Sequence, residues 1–506
     1  MPRVARAWWA VASLAACLCL PTPTARSQEA ATGPEAQSEL DRLSDELDRA
    51  VRDRGALSTA RVGISVVDLL SGRELYARDG DGAYNVASNT KIVTTAAALA
   101  LLGPEFTTAT EVFAGELEAS GAIKGDLFLV ARGNPYLYTE DLDDLARQLS
   151  RAGVRRFTGG ITVDDTYFDS DDLPPHFDEQ PDEQASFRAP VGALSLNFNG
   201  VNLSVRPGPA VGAPAIVDVD PPNGYVRVVS SVQTSGRGRT RLAVRTNELP
   251  DALELTVAGQ IRVNASPRNL RRRVPNPLRY GATAFAKALA REGIRLGRAD
   301  VRRGPVPVDA TRYAGRSSPP VAEMVRALGK FSNNFVAETL LKIIGAEVSD
   351  APLAPATWKD GLRAVRSYLT DTVGLAPNSF RYENGSGLFD SSEFSPRQMT
   401  RVIRAAYSDF RIGPDLLASL AIGGADGTLA TRMQQSDAER QVRAKTGTLD
   451  EVSALSGIIA TDMRRPLAFS ILVNDIPRAR GSLPAARAMQ DEMSSIIVRY
   501  LQRTSE

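Results

Sequence analysis

An α+β fold, with an antiparallel sheet flanked by helices and mostly-β subdomains inserted into it, is predicted by three observations. Strand-like runs stand near both ends of the 506-residue chain, helical periodicity flanks them, and a strand-rich texture of different character fills 107–268. Paired terminal strands would make one sheet from both ends of the chain, leaving the middle as an insertion.

The elements follow in order. Leu40, Leu43, Leu47 and Val51 repeat at helical spacing. The β-branched stretch 61–69 reads as a strand, Ser71-Gly72 as a turn, and 74–77 as the returning strand. A helix spans 90–102, with Ile92, Val93, Ala96, Leu99 and Ala100 on its apolar side, and Gly103-Pro104 stops it. Short strands at 126–131, 160–163, 201–205, 225–232, 240–246 and 254–257, with one helix near 139–152, make up the insert, which has a break near Gly200. Helices return at 276–291, 321–328, 335–344 and 396–408. Strands at 452–460 and 467–473 and a closing helix at 483–501, capped by Ser482, end the chain. The expected division is a leader at 1–27, one discontinuous unit of 28–106 and 269–506, and the insert 107–268.

Composition narrows the chemistry. Lys+Arg is 60 and Asp+Glu is 59, so no global basic field favours nucleic acid. Arginines 237, 239, 241 and 245 and the run Arg271-Arg272-Arg273 lack interleaved aromatic residues and read as solvated hairpin faces. The one histidine, His176, leaves a zinc site of two or three histidines unbuildable. Both cysteines, Cys17 and Cys19, fall in the leader. There, Arg3 and Arg6 precede an apolar run and small residues at 21–27, the pattern of an export signal. Leu14-Ala15-Ala16-Cys17 is a competing lipoprotein box. Either reading places the mature chain outside the cytoplasm, in the periplasm or cell envelope, with no membrane span.

If a histidine is not the base, lysine is the candidate. Only seven of the 60 basic residues are lysine. Guanidinium stays protonated, whereas a buried amine can lose its proton and act as a base. Ser88-Asn89-Thr90-Lys91 puts serine and lysine one turn apart at a helix start, although an N-cap serine and a surface lysine would look the same. Ser332-Asn333-Asn334 lies between two helices, where Ser332 could simply be an N-cap. Ser195-Leu196-Asn197 has the same pattern but sits in the strand-rich insert. Lys445-Thr446-Gly447 occurs once and precedes a strand, where it could be a turn.

In the order S-x-x-K, S-x-N, K-T-G, these three motifs resemble those of serine β-lactamases and penicillin-binding proteins. Ser88 and Ser332 are 244 positions apart, which is similar to the class C low-molecular-mass penicillin-binding proteins, the D-alanyl-D-alanine carboxypeptidase/endopeptidase family, with domains inserted there. Gly133-Asn134-Pro135 and the stretches 161–168, 189–197, 384–388 and 424–429 also resemble it. Two departures are Asn384, where the family usually has Asp, and Phe389-Asp390, where Ser-Arg is common.

The resemblance implies a transpeptidase-like fold and an acyl-enzyme on Ser88, with Lys91 as base. Ser332 and Lys445 would relay the proton and Asn334 would hold the substrate amide. Backbone N–H groups of Ser88 and Thr448 would form the oxyanion hole, and Thr446, Gly447 and Thr448 would bind the substrate with the Lys445 charge on its terminal carboxylate. It implies peptidoglycan stem peptides as substrate, β-lactams as acylating inhibitors, and no metal or organic cofactor. A family loop near the acidic stretch 169–183 contributes to recognising the amino-bearing peptide side chain. A β-lactamase and a non-catalytic peptidoglycan-binding module are the alternatives.

Overall fold

A computed structural model describes residues 34–504 apart from 181–182, 349–353 and 462–464. The expected leader, with Cys17 and Cys19, lies outside the described residues. No helix among the described residues is long and apolar enough to cross a membrane.

The two ends of the chain meet in one antiparallel sheet. Arg61–Asp68 pairs along its whole length with Leu467–Asn474, Ile64 facing Ile471 and Val66 facing Phe469. The strand order is Glu74–Arg78, Arg61–Asp68, Leu467–Asn474, Val452–Ile459, Val442–Leu449, Ala421–Ile422. Val452–Ile459 and Leu467–Asn474 are buried at every position, because both faces of the sheet are covered. Their side chains alternate between two cores. Leu455, Phe469 and Ile471 pack with Leu43, Leu47, Ile497 and Leu501 of the terminal helices Pro34–Arg52 and Ser482–Thr504. Ala454, Ile458 and Leu472 face the other way, into the core shared with Thr90–Leu102 and Pro396–Ser408.

Thr90–Leu102 is buried from Thr90 to Leu99 with no solvent face. The expected apolar side is therefore only part of a surface buried all round, in which Thr90, Lys91, Thr94 and Thr95 are buried as well. Around it pack Asn334–Val348, Val321–Phe331 and Pro396–Ser408.

The insert is built on a five-stranded sheet in the order Val301–Arg303, Ile161–Asp164, Leu127–Ala131, Ala109–Ala114, Thr311–Ser317. Its first and last strands come from beyond residue 269, where the sequence reading returned the chain to the first unit. Val301–Arg303 pairs with Ile161–Asp164 and Thr311–Ser317 with Ala109–Ala114. A boundary at 269 would strip both from their partners, and we place the return after Ser317. Gly200–Arg206 opens a separate sheet with Ile216–Asp220 and Arg268–Arg273. Beside it, Ala252–Arg262 pairs with Arg241–Leu249, Val226–Ser230 and Gln233–Ser235.

Two of the plainer alternatives fall away. Lys445-Thr446-Gly447 is not a turn but lies within the strand Val442–Leu449, Lys445 opposite Ser456 and Gly447 opposite Ala454. Ser332 is not an N-cap but ends Val321–Phe331 in the left-handed region, at φ 58°, its N–H on the Leu328 carbonyl at 2.8 Å.

Candidate active site

The site lies where the start of Thr90–Leu102, the Ser332 corner and the Val442–Leu449 strand converge. Asn85 Oδ1 accepts the Ala87 N–H at 2.8 Å, and Ala87 takes a φ of 46°. A left-handed backbone at a residue with a Cβ costs about 1–3 kcal/mol and persists only where its surroundings impose it. The turn Ala87–Asn89 then runs straight into the helix, with Thr90 Oγ1 donating to the Ala87 carbonyl at 2.8 Å. Ser88 and Lys91 emerge on one face, Lys91 Nζ 3.0 Å from Ser88 Oγ.

Lys91 is completely buried. Its Nζ also donates to Asn334 Oδ1 at 2.8 Å and to the Ser386 carbonyl at 2.7 Å. These are neutral acceptors. Burial first, and the Lys445 cation second, hold its pKa well below the usual lysine value, against the opposing pull of Glu338. A neutral amine keeps a lone pair that can take the hydroxyl proton of Ser88.

The left-handed corner at Ser332 breaks the helix so that the chain restarts at once. Asn333 Oδ1 accepts the Val336 N–H at 3.2 Å, opening Asn334–Val348. Ser332 Oγ is 2.9 Å from Lys445 Nζ, and Asn334 Nδ2 donates to the Phe187 carbonyl at 3.3 Å. Lys445 is 1% exposed, and its Nζ also donates to the Thr446 carbonyl at 2.8 Å. Burial lowers its pKa to about 7. Gly447 is required by close approach. A Cβ there would stand 2.7 Å from the Val86 carbonyl oxygen and 3.0 Å from Asn89 Nδ2, forcing the strand away from the Ser88 turn. Thr446 Oγ1 donates to Thr428 Oγ1 at 2.9 Å.

The family model for D-Ala-D-Ala carboxypeptidase 3 (S13) matches residues 43–498. The chain belongs to this family. It is a serine-type D-Ala-D-Ala carboxypeptidase, a hydrolase of the penicillin-binding type. It is 35% identical over 479 residues to the D-alanyl-D-alanine carboxypeptidase of Actinomadura sp. (strain R39), covering 91% of this chain and 85% of that one. Over 396 residues it is 24% identical to the D-alanyl-D-alanine carboxypeptidase DacB of Haemophilus influenzae, covering 77% and 80%. The fold is similar to that of penicillin binding protein 4 (dacB) from Haemophilus influenzae, with a TM-score of 0.75 at 20% identity, over 90% of this chain and 99% of that one. The Bdellovibrio bacteriovorus endopeptidase Bd3459 follows, with a TM-score of 0.52 at 15% identity, over 87% and 93%.

The other candidates of the sequence have hydrogen-bond partners or contacts of their own. Ser195 Oγ donates to the Gly192 carbonyl and Asn197 Nδ2 to Thr139 Oγ1, so that S-x-N belongs to the insert's own packing. His176 lies between Glu179 (2.6 Å) and Glu383 (2.8 Å). The acidic stretch is anchored to the core at its start. Asp169 and the Asp171 carbonyl are bound by the buried Lys342, at 2.6 and 2.8 Å. Asn384 has a use for its amide. Its Nδ2 donates to the Pro175 and Leu388 carbonyls while its Oδ1 accepts the Gly387 N–H, and a carboxylate could only accept. Phe389 packs edge-on to Phe177, their ring centres 5.8 Å apart, with the Arg188 guanidinium 5.4 Å from its ring centre.

Two residues the motifs do not name stand at the S13 site. Glu338, fully buried, accepts the N–H groups of Gly385 (2.9 Å) and Ser386 (2.8 Å) and so fixes the peptide whose carbonyl meets Lys91. Burial raises its pKa against those bonds and Lys91. The signal was available, since a carboxylate one turn after Asn334 interrupts an apolar helix. Arg487, exposed on the closing helix, donates to Thr448 Oγ1 at 3.3 Å, and no motif announces it.

Proposed function

We propose that Ser88 is the acylated nucleophile of a D,D-peptidase that hydrolyses peptidoglycan stem peptides in the periplasm or cell envelope. The observation that carries this reading is a fully buried lysine amine 3.0 Å from a serine hydroxyl, beside a second buried lysine and with only neutral acceptors in hydrogen-bond reach. Neutral Lys91 takes the Ser88 proton as Oγ attacks the carbonyl of the penultimate D-Ala. The backbone N–H groups of Ser88 and Thr448 hold the oxyanion, each worth about 3–4 kcal/mol in such sites. Ser332, bonded to Lys445, passes a proton to the leaving D-Ala amine. Asn334 holds the substrate amide. Lys445, with the hydroxyls of Thr446 and Thr448, binds the terminal carboxylate, and Arg487 adds a cation at that end. Gly447 lets the strand approach. Water then releases the acyl group.

β-Lactams, as acyl donors of similar shape, acylate the same serine. Penicillin binding protein 4 of Haemophilus influenzae, solved in complex with a β-lactam, has this fold with a TM-score of 0.71. Intact-protein mass spectrometry after penicillin treatment is expected to show one adduct, absent in Ser88→Ala. No adduct on folded protein would overturn the assignment, and rapid turnover in place of a lasting adduct would make the protein a β-lactamase.

A further inference from the structure

The whole chain is nearly neutral, at net +1, but its charge is not evenly spread. Residues 221–273 hold ten arginines against three acids, Glu248, Asp251 and Glu254, which leaves the remainder net acidic. The fold separates these charges further. Glu248 pairs with Arg273 and Asp251 with Arg279, both near the hairpin that opens the strand Ala252–Arg262. Glu254 stands opposite Arg227, two residues along the same strand. That end lies beside the helix Pro277–Arg291, where Gly224 approaches Thr283. Eleven residues of extended chain then carry the strand about 34 Å to Arg262 at the far end.

Three connections meet at that far end. Residues 207–215 join it through the Gly208 N–H on Thr234 Oγ1 (2.8 Å) and the Gly212 N–H on the Thr234 carbonyl (2.9 Å). Residues 236–240 join it through Thr240 Oγ1, which accepts the Arg262 N–H at 3.2 Å. Residues 263–267 join it through the Val263 N–H on the Ser235 carbonyl at 2.9 Å. Between them is a cleft of about 520 Å³ walled by Arg239, Thr240, Arg262, Asn264 and Arg268, donors throughout, with no carboxylate in its wall. Among the described residues, Arg237, Arg239, Arg241, Arg262 and Arg268 make no ion pair. Two valines stand out beside them, Val211 at 62% exposure and Val263 at 37%.

We propose that this distal end of the insert is a docking surface for an anionic phospholipid bilayer, with headgroup phosphates entering the Arg239–Arg262–Arg268 cleft and Val211 and Val263 inserting at the headgroup boundary. Unpaired arginines facing a negative surface supply the attraction, and apolar side chains flanking them supply what a soluble polyanion would not use. The opposite end of the same strands reaches towards the active site, since Arg273 bonds Gln184 in the segment whose Phe187 carbonyl accepts from Asn334, so a docked molecule holds its active site off the membrane.

Co-sedimentation of the purified chain with phosphatidylcholine vesicles, with and without phosphatidylglycerol, tests this. Binding is expected only with phosphatidylglycerol and is lost at high salt. The triple variant R239E/R241E/R262E is expected to bind at least about tenfold more weakly. V211S/V263S is expected to lose affinity several-fold on the same vesicles. Hydrolysis of a soluble peptide, unchanged in both variants, reports an intact fold. Equal binding to both vesicle types, or none to either, overturns the proposal. So does inorganic polyphosphate bound as tightly as the vesicles with no effect of the valine changes, which would assign the cleft to a soluble polyanion.

Discussion

Lys91 and Lys342 are both completely buried, Lys342 on the helix Asn334–Val348 and Lys91 on the helix Thr90–Leu102 that packs against it, yet they are built for opposite ends. Lys342 meets the Asp169 carboxylate at 2.6 Å and lies over the rings of Trp358 (4.6 Å) and Phe168 (5.3 Å). Lys91 meets a hydroxyl, an amide oxygen and a peptide carbonyl, while the carboxylate nearest in its surroundings, Glu338, spends both oxygens on backbone N–H groups. One pocket completes an ion pair. The other withholds the pair and adds a second cation, so the proton is easily given up. Burial alone does not make a lysine a base; the withheld counter-charge does.

The largest test of this difference is Lys91→Met. Removing a general base costs about 10²–10⁴-fold in rate, so acylation by penicillin is expected to fall about a thousandfold. Thermal stability should change little, because the lost bonds to Asn334 Oδ1 and the Ser386 carbonyl are offset by no longer burying an amine that has no ion-pair partner. Acylation within tenfold of the parent rate would break the comparison at its catalytic end.

Lys342→Met should do the reverse. Breaking a buried ion pair leaves a stranded charge, and roughly 3 kcal/mol of stability is expected to go, the lower part of the usual range because the Asp169 side chain keeps 27% exposure. Denaturant titration reads this directly. Acylation should stay within tenfold, and a collapse of acylation at full stability would place Lys342 in the chemistry instead.

How much of this was legible beforehand depended on how local each signal is. Ser88 and Lys91 sit one helical turn apart, so the pair is visible in four letters of sequence. Glu338 was visible as a misplaced charge, but its task is set by Gly385 and Ser386, 47 and 48 positions on. The strand Val442–Leu449 was hidden because Thr446-Gly447 looks like a turn until the sheet supplies partners on both sides. The pairings of Val301–Arg303 and Thr311–Ser317 were not legible, because their partners Ile161–Asp164 and Ala109–Ala114 lie far back in the chain. The helix Trp358–Ser367 carries a local signal in its capping box, Thr357 with Asp360, but lies outside the helices expected from apolar spacing.

Asn384→Asp, which introduces the residue that the family resemblance leads one to expect, is expected to destabilise this protein by about 1–3 kcal/mol, since the carboxylate cannot donate to the Pro175 and Leu388 carbonyls. The segment it closes, 384–388, carries the Ser386 carbonyl that Lys91 contacts. A moderate drop in acylation should therefore accompany the lost stability. Unchanged stability would mean that neither bond matters.

The smallest effect concerns the second cation. Burial brings the Lys445 pKa to about 7, so its charge is present below that pH and lost above it. For a peptide ending in a free carboxylate, kcat/KM should fall on the alkaline side with an apparent pKa near 7. The same peptide ending in a carboxamide should lose much of that limb, because it offers no anion to the ammonium. Stability should move the other way. In the unfolded chain a lysine keeps its proton up to about pH 10.4, so between about 7 and 10 the unfolded state binds the extra proton and the folded state gains stability as pH rises. Lys445→Met should flatten that slope. If the carboxamide peptide keeps the full alkaline limb, the charge lost near pH 7 is not the one that grips the substrate, and Lys445 acts through Ser332 alone.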